Sequence, residues 1–145
     1  METTKAFIEF LQACISPMVL ISGVGLLLLS ISNRLGRTID KSRMLVKQLQ
    51  NHALDKERKI VQLKTLFKRS KILRLAIAAI SISILSSSLI IPLLLIMNLC
   101  DLNLRILGIG FFLVSVFGII ISAVFLFIDV SLALKALDYE VRDYL

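Results

Sequence analysis

Three stretches of this chain carry no charged side chain: residues 10–33, 75–100 and 106–128. Each is longer than the roughly 20 residues with which a helix crosses about 30 Å of hydrocarbon. Inside that slab a backbone must satisfy its own hydrogen bonds, which a helix does. The sequence therefore predicts three transmembrane helices, over about 15–33, 75–98 and 106–129. Composition agrees, with 57% hydrophobic and 19% charged residues and a mean hydropathy of +0.89; a soluble domain carries about a quarter charged residues. The expected fold class is all-α. Without a linker, internal repeat or low-complexity block, residues 1–145 read as a single membrane domain.

A cleaved secretory signal places basic residues before its apolar core and a small-residue cleavage site after it. Here the basic residues, Arg34 and Arg37, come afterwards, so the first stretch is expected to remain in the protein. Ser16-Pro17 fits a helix start, with Ser as N-cap and Pro at the first helical position, where its missing N–H costs nothing. Upstream, Phe7, Ile8, Phe10 and Leu11 suit a short separate helix at the membrane interface.

Residues 34–74 hold 13 Lys and Arg against 3 Asp and Glu, whereas the 100–105 link holds one of each sign. Basic segments stay in the cytoplasm, so the expected location is the inner membrane with the N-terminus outside and the C-terminus in the cytoplasm. The net charge of +7 comes largely from this segment. Topology and attraction to anionic lipid headgroups account for it, and no nucleic-acid partner is expected.

The basic segment has no Pro and one Gly, Gly36, and reads as helical. Its residues Ile39, Val46, Leu49, Ala53, Ile60, Leu63 and Phe67, with Ser42 and Lys56 as weaker members, follow a three-four rhythm. Both ends must return to the same membrane face, which predicts a cytoplasmic helical hairpin over 34–74 that reverses near 50–55, with Asn51 ending one helix and Asp55 capping the next. Residues 130–145 are expected to continue the third helix, with Asp138, Glu140 and Asp143 facing the basic hairpin.

In lipid, apolar burial does not drive helices together, so small and polar residues carry the information. Ser16, Gly23, Ser30 and Arg37 recur every seven residues along the first span, with Asn33, Arg34 and Asp40 on adjoining rows. A second series runs Gly108, Phe111, Ser115, Gly118, Ser122, Phe125 and Asp129. In the second span Arg74, Ser81 and Ser88 are seven apart, and Pro92 cannot donate to the carbonyl of Ser88. Such stripes either pack helices or, turned toward a shared axis in an oligomer, line a pore. Asp129, at the edge of the third span, is expected to pair with Arg34 or Arg37 in a cytoplasmic latch to which Asp40 also belongs.

Cys14 and Cys100 fall on the oxidising side of this topology, which permits a disulfide but does not require one. No catalytic, metal or cofactor site can be assembled. His52 is the sole histidine and lacks a Cys or Glu at ligand spacing, and Gly23-x-Gly25 lacks the strand-turn-helix context of a dinucleotide site. The chain is not expected to be an enzyme.

The run "ISPMVLISGVGLLLLSISNRLGRTID" (residues 15–40), with Ser16, Pro17, Gly23, Gly25, Asn33, Arg34, Arg37 and Asp40, resembles the opening signature of a family of small bacterial membrane proteins, domain-of-unknown-function family 2721. The later "KRSKILRLAI" is similar to that family as well. The resemblance implies three spans and brings no established activity. The expected object is a homo-oligomer in the lipid bilayer, pore-like and lined by the first span. The alternative is a non-conducting scaffold or regulator whose hairpin binds a partner or anionic lipid.

Overall fold

The structure is a computed structural model that describes residues 2–51, 56–100 and 104–142, and side chains at 5, 7–49, 56–97 and 104–136. Among the described residues all but Leu104 are α-helical, in three helices: α1 (Glu2–Asn51), α2 (Lys56–Cys100) and α3 (Arg105–Arg142). Each contains a segment long and apolar enough to cross a membrane, with mean hydropathy 2.2, 2.3 and 2.9. Only 22%, 22% and 17% of those windows are buried. The helices therefore present most of their apolar surface outward, as lipid-facing helices do.

Two expectations about helix ends need correction. α1 does not start at Ser16-Pro17; it begins at Glu2 and carries Pro17 in its interior. Pro17 removes one backbone donor without stopping the helix, because in an apolar medium helical hydrogen bonding on both sides is the cheapest way to satisfy the chain. The segment upstream of Ser16 is thus part of α1. α2 likewise runs through Pro92. The helices also carry the basic segment: α1 extends to Asn51, about 27 Å past Asn33 at 1.5 Å per residue, and α2 begins at Lys56. His52 and Asp55 lie outside the described residues, as do the side chains of Cys100, Asp138, Glu140 and Asp143.

The chain divides into two compact units: Met1–Leu28 with Ala79–Ile121, and Leu29–Ala78 with Ser122–Leu145. In the first, α1 buries Cys14, Pro17 and Val24 and half-buries Ile21 and Leu28. α2 and α3 are antiparallel there, since Ser87 meets Ser115, Ser83 meets Gly118 and Leu93 meets Gly108. In the second unit, Ile31 and Thr38 of α1 and Leu73 and Ala76 of α2 are buried, and Leu35, Ser42, Leu45, Leu63 and Leu66 are half-buried.

The inward face of the basic segment therefore differs from the rhythm read in the sequence. Ile39, Val46, Lys56, Ile60 and Phe67 are exposed, Ser42, Leu49 and Leu63 are half-buried, and Ala53 lies outside the described residues. Hydroxyls take the inward places because they satisfy themselves locally. Thr38 Oγ1 donates to the Arg34 carbonyl at 2.9 Å and Ser42 Oγ to the Thr38 carbonyl at 2.8 Å.

Candidate functional site

The third-span series is the inward face of α3. Ser115, Gly118, Ser122 and Asp129 are buried, and Gly108, Phe111 and Phe125 are half-buried. At Gly118 α2 and α3 approach closely: a Cβ there would sit 2.9 Å from the Ala79 carbonyl oxygen and 2.9 Å from Ser83 Cβ. Around it Ser83 Oγ donates to the Ser115 carbonyl at 2.7 Å, and the Ser115 hydroxyl hydrogen-bonds those of Ser83, at 3.1 Å, and Ser87. This stripe packs helices together. One group is left over: Ser122 Oγ is buried without a hydrogen-bond partner, at a cost on the order of 1–3 kcal/mol.

The first-span stripe behaves oppositely. Ser16, Gly23, Ser30, Asn33 and Arg37 are all exposed, as are Val19 and Leu26 on the same line. Gly23 follows half-buried Ile21 by two residues, and Ser30 follows Leu28 by two, a rotation of about 200°. Ser16, Gly23, Ser30 and Arg37 also each precede a buried residue, Pro17, Val24, Ile31 and Thr38, by one position, or about 100°, so the exposed stripe runs along the flank of the packed face of α1. A Cβ on Gly23 would meet nothing within 4 Å. In the second span, Arg74 and Ser88 are exposed and Ser81 is half-buried, while the buried hydroxyls are Ser83, Ser86 and Ser87.

Arg34 leaves this stripe. It is half-buried, with Nη1 3.5 Å from Asp129 Oδ2. The stronger partner of Asp129 is Arg69, whose Nε donates to Oδ1 at 2.9 Å and Nη2 to Oδ2 at 3.4 Å. The Asp129 side chain is 0% exposed, that of Arg69 19% and that of Arg34 37%. One carboxylate from α3 thus joins an arginine from α1 to one from α2. Arg37 and Asp40 are exposed and stand apart from this cluster. Arg69 was one of 13 basic residues in its segment, and its only signal was its position three after Leu66 and four before Leu73, inside an apolar series.

Cys14 is a buried free thiol, and its proposed partner lies outside the described side chains. Gly23 and Gly25 sit within α1, where no phosphate-binding turn exists. Among the described residues no group of three His, Cys, Asp or Glu could hold a metal ion.

Three long apolar helices, hydroxyl-mediated helix packing and a buried charge cluster define an all-α membrane protein with three transmembrane helices. The chain belongs to the family described as "Protein of unknown function (DUF2721)", whose model matches residues 14–139 and so takes in the whole of the opening signature. No curated protein and no solved structure matches the chain.

Proposed function

We propose that the protein is a non-enzymatic homo-oligomer of the inner membrane in which α1 of each copy turns its polar stripe toward a shared axis, forming a small pore. The observation that carries this reading is the exposure of Gly23, Ser30, Asn33 and Arg37 along a stripe of α1 outside its packed residues Val24, Ile31 and Thr38. In a lone protomer these groups would face hydrocarbon. A second α1 or an aqueous axis gives the hydroxyls and amide partners and lets backbones approach at glycine. Because Arg34 is held by Asp129, Arg37 alone supplies the ring of positive charge at the mouth, taken to be cytoplasmic. A ring of arginines biases conduction toward anions.

The test is ion flux and reversal potential of the purified protein in liposomes. Wild type should pass anions, and Arg37→Glu should move the reversal potential toward cation selectivity. An unchanged potential sinks the pore.

A second reading, a non-conducting scaffold, is favoured by a different observation. Met44, Val61 and Phe67 are exposed on the helical extensions, among exposed Lys64, Lys68 and Lys71, with Lys71 Nζ 4.9 Å from the Phe67 ring centre. A basic surface with apolar anchors suits anionic lipid or an acidic partner. In that case neutralising these lysines abolishes the cellular phenotype, while bulky residues at Gly23 and Ser30 are tolerated.

A further inference from the structure

We propose that the first unit binds one bilayer phospholipid with an anionic headgroup, in a groove that borders the α1 stripe at Ser16. The groove has a volume of about 510 Å³ and is walled by residues 13–20 of α1, 90–97 of α2 and 105–112 of α3. That size lies within the roughly 300–1,000 Å³ of small-ligand sites. Its walls are mainly apolar, with Leu20, Leu94 and Phe112 among them, and among the described residues Arg105 is the only charged side chain lining it. Ser16 adds a hydroxyl. Gly108 leaves the α3 wall without a side chain; a Cβ there would meet only Leu93 Cδ2, at 3.4 Å.

The chemistry of this lining matches an amphiphile. All three walls belong to membrane-crossing segments, so acyl chains are the surrounding medium, and water gains little from an apolar cleft with few polar partners. α2 ends at Cys100 and α3 starts at Arg105, which places the groove where these two spans meet the headgroup layer. An acyl chain covers the apolar walls, and the phosphate meets the Arg105 guanidinium, the cation best suited to pairing it. A zwitterionic lipid offers the same chains but no net charge for Arg105.

Native mass spectrometry of delipidated protein titrated with dioleoyl phosphatidylglycerol or dioleoyl phosphatidylcholine tests this. Wild type should bind one phosphatidylglycerol per protomer with about fivefold preference over phosphatidylcholine, the worth of one interfacial arginine. Arg105→Gln should still bind lipid but with the preference near one. Ala13→Phe, at an exposed groove position, should weaken both lipids at least tenfold while helicity and elution volume are unchanged. Lys135→Gln, at an exposed position that does not line the groove, should alter nothing. The proposal is overturned if wild type shows no preference, if Lys135→Gln rather than Arg105→Gln removes it, if Ala13→Phe binds as wild type does, or if a second copy of the chain occupies the groove. Flux through the α1 stripe is measured separately, so either reading can fail alone.

Discussion

Replacing Arg69 with Met should cost far more than the same replacement of Arg34, although both arginines touch one carboxylate. Arg69 makes two contacts to Asp129, at 2.9 and 3.4 Å, from a side chain 19% exposed. Arg34 makes one, at 3.5 Å, from a side chain 37% exposed. Without Arg69, a fully buried carboxylate is left with a single long contact, and stranding a buried charge costs about 3–5 kcal/mol. Without Arg34, the loss is a weak, partly solvated pair worth roughly 0–1 kcal/mol. The two variants should therefore differ by at least about 2 kcal/mol. Replacing both partners, Arg69→Met with Asp129→Leu, removes the stranded charge and should recover most of the loss. Reversible unfolding in mixed micelles, followed by circular dichroism, reads all four proteins. Equal penalties for the two arginines, or a double variant no better than Arg69→Met, would refute the assignment of Arg69 as the principal partner.

The glycines give opposite expectations. Gly118→Ala drives a Cβ to 2.9 Å from a backbone oxygen and should destabilise the protein by about 1–3 kcal/mol, whereas Gly23→Ala, with nothing within 4 Å, should leave protomer stability unchanged or slightly higher; the same micelle assay separates them. Ser115→Ala strands the hydroxyl of Ser87 and should cost about 0.6–1.5 kcal/mol, while Ser122→Ala removes an unpartnered buried oxygen and should be neutral or stabilising by up to about 1 kcal/mol. A lower stability for Ser122→Ala than for Ser115→Ala contradicts this hydrogen-bond assignment.

The three spans were legible because charge-free length is an unambiguous signal in lipid, and the inward face of α3 because only its Gly, Ser and Asp residues break an otherwise uniform apolar run. The inward face of α1 was not legible. Its Val24 and Ile31 are no more apolar than exposed Leu26 and Leu29, since both sides of a membrane helix are hydrophobic and periodicity carries no contrast. The small-polar stripe reads as one face in the sequence, yet Arg34 turns from it to Asp129, and which way the rest turns depends on helix contacts that no single helix encodes. In the basic segment the reading failed for another reason. Thr38, which was not in the series, bonds its own helix and packs inward, while Ile39 and Val46 lie at the surface. The helix start at Ser16-Pro17 failed because a proline tolerated inside a membrane helix looks, in sequence, like one that begins it.

The account turns on the α1 stripe being an interface between copies, and disulfide cross-linking in native membranes tests that most directly. In a Cys14→Ala, Cys100→Ala background, single cysteines at Gly23, Ser30 and Arg37 should yield oxidant-dependent covalent dimers, while cysteines at buried Val24 and Ile31 of α1 and at exposed Leu85 of α2 should not. Equal cross-linking at Leu85 and at the stripe, or none at the stripe above background, would contradict the account and leave the stripe facing lipid.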